Sequence, residues 1–74
     1  MTRSRDVPTA LVSSLLASMQ YSLDAILTLE FRSGAIYRYF AVPPAIVEGL
    51  IAAESKGTYF NRHLRNHFRY QRLA

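Results

Sequence analysis

A chain of 74 residues, half of them apolar and 19% charged, has room for one core and one domain, with roughly 60–65% of its unfolded surface buried on folding. A core this small seldom leaves a cleft with converging catalytic groups, so size favours binding over enzymatic chemistry. The absence of cysteine excludes disulfide staples and thiolate metal sites, and leaves His63 and His67 as the only imidazoles.

The net charge of +4 is unevenly placed. Residues 56–74 hold Lys56, Arg62, Arg65, Arg69 and Arg72 with no acid, while the rest of the chain sums to −1. Such a segment attracts acidic partners, either nucleic acid or an acidic protein face. The basic start Met1-Thr2-Arg3-Ser4-Arg5-Asp6 is followed by no apolar export segment, and the apolar runs are short and interrupted. Neither export nor a membrane span is expected, and the cysteine-free composition suits a reducing cytoplasm.

Residues 1–10 are mostly polar and aperiodic, which predicts a flexible N-terminal arm leading into a single domain over residues 11–74. Residues 13–21 have helix-favouring composition, but the Ser22-Leu23-Asp24 turn and the alternating run at 26–31 make a strand the more economical reading. Arg32-Ser33-Gly34 separates that run from the aromatic strand at 35–40. A three-residue loop with Gly34 in the left-handed region sets Leu29 against Tyr37 and Leu27 against Tyr39, all four facing the core. It also places Arg38 opposite Thr28 and diagonal to Glu30 on the other face.

Val42-Pro43-Pro44 ends the strand, and a proline suits a first helical turn. Ile46, Val47, Leu50 and Ile51 then make an apolar stripe, predicting a helix over 44–55 that Lys56-Gly57 stops. Thr58 is the expected N-cap of a second helix, in which Phe60, Leu64 and Phe68 fall four apart and pack inward. The arginines then lie outside. The fold class is α+β: a three-stranded antiparallel meander followed by two helices packed on one sheet face.

Three motifs in order, Tyr37-Arg38-Tyr39-Phe40 with Val42-Pro43, Ser55-Lys56-Gly57-Thr58-Tyr59-Phe60-Asn61, and Tyr70-x-Arg72, resemble the KTSC domain family. That family takes its name from the C-terminus of some lysyl-tRNA synthetases. The resemblance covers residues 12–73, implies the meander-plus-helices fold, and marks Tyr37, Tyr39, Phe40, Gly57, Tyr59, Phe60 and Asn61 as its structural motif. It implies no assigned reaction, although an RNA-binding role has been suggested for the family. More particularly, the chain resembles the small transcription regulators of Xanthomonas phages. That likeness implies a partner, bacterial RNA polymerase, contacted at the β′ N-terminal region and the β flap in the host cytoplasm. The implied outcomes are interference with sigma-dependent initiation and antitermination.

Weighed singly, the candidate residues divide as follows. Tyr37 and Tyr39 are able to stack on unpaired bases, but helices over their face make them core, leaving Ile36 and Phe40 as the exposed candidates. Lys56, Arg62, Arg65, Arg69 and Arg72, with Arg3 and Arg5 of the arm, are the expected partner-binding residues, neutralising phosphates or meeting an acidic protein surface. His63 and His67 stand at i and i+4, but nothing completes a metal site and neighbouring arginines repel a cation, so solvated helix histidines are expected. Ser13, Ser14 and Ser55 have no visible base. The expectation is a non-catalytic, cofactor-free, monomeric domain that binds polymerase or, alternatively, RNA.

Overall fold

The structure, a computed structural model, describes residues 9–74. Its elements are β1 (Thr9–Ala10), β2 (Leu16–Tyr21), β3 (Leu27–Phe31), β4 (Ile36–Tyr39), α1 (Pro44–Ala52), α2 (Lys56–His63) and β5 (Tyr70–Arg72). The sheet has five strands rather than the expected three, paired antiparallel in chain order β1-β2-β3-β4-β5. Between β4 and β5 the chain lays both helices against the sheet and then returns to its far edge. Most of the expected arm, with Arg3 and Arg5, lies outside the described residues, but Thr9 and Ala10 form an edge strand against Met19 and Ser18.

The β3–β4 hairpin has the expected register, Leu27 opposite Tyr39, Thr28 opposite Arg38 and Leu29 opposite Tyr37. Gly34 sits at φ 99° and donates to the Phe31 carbonyl at 2.9 Å, while Phe31 donates to Ala35 at 2.8 Å. A left-handed residue after a tight turn is the geometry a three-residue loop needs, and glycine adopts it without a Cβ clash.

β2 begins at Leu16 rather than at residue 13, because the Ser13 hydroxyl accepts from the amides of Leu15 and Leu16 and holds that stretch in a turn. A bulge between Leu16 and Ser18 then resets the alternation. Met19 and Tyr21 point to the core opposite Leu29 and Leu27, and the extra residue brings Leu16 to the same side with no exposed surface. Arg32 straps this lead-in to the hairpin, donating from Nε to the Ser13 carbonyl and from Nη2 to that of Leu11.

The first helix is shorter than expected, ending at Ala52, and Ile51 is 52% exposed instead of completing the apolar stripe. Lys56-Gly57 does not end it in a left-handed turn. Ser55 is the N-cap of α2 in place of Thr58, its hydroxyl accepting from the Thr58 amide at 3.2 Å, so Lys56 and Gly57 open the second helix. Lys56 still serves the C-terminus of α1 through its side chain, with Nζ donating to the carbonyls of Ile51 and Ala53. Gly57 lies where a Cβ would meet Leu15 at 3.5 Å, an ordinary packing distance.

The second helix stops at His63, not beyond Phe68. Leu64 and Arg65 both donate to the Phe60 carbonyl, and Asn66 turns left-handed at φ 64°, a conformation asparagine tolerates at helix ends. Phe60 and Leu64 are core, whereas Phe68 packs half-buried from the loop. Tyr70–Arg72 is then strand, with Tyr70 opposite Tyr39 and Arg72 opposite Tyr37.

Tyr59 locks the helices together, its hydroxyl donating to the Ile46 carbonyl at 2.9 Å over the Gly49 backbone. A Cβ on Gly49 would collide with that hydroxyl and lie 2.6 and 2.8 Å from ring carbons Cζ and Cε2. Gly49→Ala adds helix propensity but forces the ring out, so a net loss of about 1–3 kcal/mol is expected in chemical denaturation. Ala25 and Ala41 are left-handed at φ 63° and 57°, where a Cβ is unfavourable. Ala25→Gly keeps the Ser22 and Val42 backbone bonds and should raise stability by up to about 1 kcal/mol in the same assay.

Candidate functional site

The helices cover the sheet face unevenly. On β3, Leu27 and Leu29 have no exposed surface, and on β4 Tyr39 is nearly buried while Tyr37 is half-buried. β5 is exposed along its length, with Tyr70 57% accessible. Tyr37, Tyr39 and Tyr70 form one aromatic cluster, with ring centroids 5.5 Å (Tyr37–Tyr70), 5.9 Å (Tyr39–Tyr70) and 6.3 Å (Tyr37–Tyr39) apart. Phe60 meets Tyr39 and Phe31 edge-on from α2. Between this cluster and the chain leaving α2 lies an open cleft of about 540 Å³, rimmed by Asn61, Arg65 and Asn66.

One of the expected partner-binding cations lines this cleft, and a second lies over the ring of a residue in its wall. Arg65 lines the cleft, and its Nη1 donates to Asn61 Oδ1 at 3.3 Å. Arg72 crosses from β5 with its guanidinium 5.7 Å from the Tyr37 ring centroid, a cation–π arrangement, while its Nε donates to the Ala74 carbonyl. Arg69 precedes Tyr70 in the loop, where its carbonyl accepts from the Phe40 amide. Arg62 is exposed on α2. Lys56 stands apart, in a shallow depression with Ser13, Arg32 and Glu54. The arginines therefore do not lie along one helix, because the second helix ends at His63, leaving Arg65 and Arg69 in the following loop and Arg72 in a strand.

Other expectations change with that boundary. His67 lies beyond the left-handed Asn66, so the helical i, i+4 pairing with His63 does not exist, and His63 instead packs on Tyr59 with centroids 4.4 Å apart. Ile36 and Phe40 are half-buried rather than exposed. The exposed aromatic is Tyr70, which sequence reasoning placed only in a closing motif. Its signal was the alternation Phe68-x-Tyr70-x-Arg72, which suits a strand as well as a frayed helix end.

Burial pushes the Tyr39 hydroxyl up to about 12, helped by neighbouring Tyr37 and Tyr70 and opposed by the positive charge of Arg65. The folded state thus holds a proton that the unfolded chain releases near 10. The contribution of this group to stability is fully present below pH 10 and is lost as pH rises from about 10 to 12. Tyr39→Phe should flatten that limb in a denaturation series across alkaline pH, and an unchanged limb would assign it elsewhere.

A five-stranded antiparallel sheet with two helices over one face and an open aromatic–cationic end defines a small α+β domain. Residues 12–68 match the model of the KTSC domain, and the chain belongs to that family. An uncharacterized protein of Stutzerimonas stutzeri is 48% identical over 66 residues, covering 86% of this chain and 93% of that protein. The lysine–tRNA ligase of Nostoc punctiforme is 46% identical over 48 residues, which span 65% of this chain and 9% of the ligase. The crystal structure of a KTSC domain protein from Yersinia pestis superposes with a TM-score of 0.87 at 25% identity, covering 90% of this chain and 96% of that one. Among the described residues, no helix is long and apolar enough to cross a membrane.

Proposed function

We propose that the chain is a non-catalytic RNA-binding module that attaches through the surface around β5. The observation that carries this reading is the meeting of Arg65 and Arg72 with the exposed edge of the tyrosine cluster, in a segment free of acids. Arginines neutralise phosphates, and aromatic faces accept unpaired bases. The relatedness of this domain to a short stretch of lysine–tRNA ligases, proteins named for a tRNA, supports the same class of partner.

A second reading has its own support in β5 as an exposed sheet edge. An extended protein segment can add to such an edge through backbone hydrogen bonds. Combined with the likeness to phage regulators, this supports docking on bacterial RNA polymerase at the β′ N-terminal region or the β flap, interference with sigma-dependent initiation, and antitermination, all in the bacterial cytoplasm.

Titration of the protein into a labelled single-stranded RNA, followed by anisotropy, tests the first reading. With Arg62, Arg65, Arg69 and Arg72 on phosphates, affinity should fall about 50-fold between 50 and 200 mM salt, from a log–log slope near −3. Arg65→Glu with Arg72→Glu should abolish most of the binding while leaving the fold intact by circular dichroism. Nuclease-resistant capture of purified core polymerase, with no RNA binding at any salt, would instead select the second reading.

A further inference from the structure

We propose that the cleft between the β4–β5 edge and the chain leaving α2 seats one unpaired nucleobase of a single-stranded RNA, stacked on the Tyr70–Tyr37 edge with flanking phosphates on Arg65 and Arg72. This rests on the RNA-binding reading and adds to it a specific seat and a demand for single strands.

The cleft is built for a flat, polar-edged group beside an anion. Exposure increases stepwise across its floor, from nearly buried Tyr39 through half-buried Tyr37 to Tyr70 at 57%. The two inner rings are held by the core, through Phe60 on Tyr39 and Phe31 on Tyr37, so the floor is rigid before any ligand arrives. Tyr70 stands on the outermost strand, β5, and is 57% exposed, so more than half of its surface is open to a ligand. A stacked base needs such a preorganised aromatic surface, and an acidic peptide does not.

The rim supplies the rest. Arg65 donates to Asn61 Oδ1, which orients that amide and leaves its NH₂ group as a donor for a base edge. Asn66 adds a second amide at the lip. Arg65, from the loop after α2, and Arg72, from β5 over the Tyr37 ring, bring positive charge to the site, and no carboxylate is among the described residues lining the cleft. A paired base in a duplex has both faces occupied by its neighbours and cannot enter, so the seat selects unpaired RNA.

The test uses the whole chain with a short single-stranded RNA oligomer and a duplex of the same length, measured by anisotropy at one fixed salt concentration. Tyr70→Ala should weaken single-strand binding by about 5- to 150-fold, the range for loss of one base–aromatic stack, with duplex binding unchanged and Tyr70→Phe close to wild type. Upfield movement of the Tyr70 ring-proton resonances in the wild-type protein on adding the oligomer gives a readout independent of any variant's folding. Wild-type binding to the single strand that Tyr70→Ala leaves within twofold, or Tyr70 resonances that do not move, overturns the base seat while the RNA-binding reading stands. Failure of the wild-type chain to bind either RNA overturns that reading itself, and binding of polymerase in its place identifies a protein partner.

Discussion

The packing of α2 onto the aromatic strand β4 is the interaction on which the rest of this domain depends. Phe60 reaches down from the helix between Phe31 and Tyr39, meeting both rings edge-on at 5.3 and 6.0 Å. That contact sets where the helical layer ends on the sheet. Toward β3 the cover is complete and the leucines are dry, while toward β5 it stops short and the tyrosines become accessible. α2 is in turn held by α1, through the Tyr59 hydroxyl on the Ile46 carbonyl and the missing Cβ of Gly49. A glycine in the middle of a helix ordinarily costs stability, so its presence at 49 makes sense only with the ring that occupies its place.

The parts of the fold written in local chemistry were legible from sequence. Gly34 after Arg32-Ser33 fixed the loop length, the loop length fixed the register, and the alternation of Leu27, Leu29, Tyr37 and Tyr39 agreed with both. Pro43-Pro44 located the start of α1 for an equally local reason, since a proline lacks the N–H that a first turn leaves unpaired. The edge strands were not legible. β1 is too short to display a period, and β5 lies in a stretch where Phe60, Leu64 and Phe68 at spacing four imitate one helical stripe. Two of those residues do lie along the end of α2, but the third is delivered by the Asn66 turn. A left-handed asparagine has no signature strong enough to break a periodic pattern by itself.

The site suffered from the same boundary. Charge alone marked residues 56–74, and of its cations Arg65 lines the cleft while Arg72 lies over the ring of Tyr37 in the cleft wall. What charge could not provide was the geometry that distinguishes a solvated helix face from a gathered surface. Once residues 64–69 are loop and 70–72 are strand, cations that a helix would have spread around its axis are delivered by separate elements, with Tyr70 among them. Lys56 goes the other way, its ammonium spent on the carbonyl end of α1.

Whether Tyr37 and Tyr39 are core or surface therefore has no single answer, and the gradient between them is the useful result. A wholly exposed aromatic sheet face would be free to stack but poorly held, and a wholly covered one would be rigid but closed. Here the β4 residue farther from the loop is buried so deeply that its hydroxyl resists ionisation, its neighbour two positions back is half-covered, and the ring on the next strand is open. Rigidity is supplied at one end of the cluster and access at the other. In a domain with so small a core, ending the helical cover partway across the aromatic cluster lets the same rings contribute to stability at one end and stay accessible at the other, without a separate cavity that would cost packing.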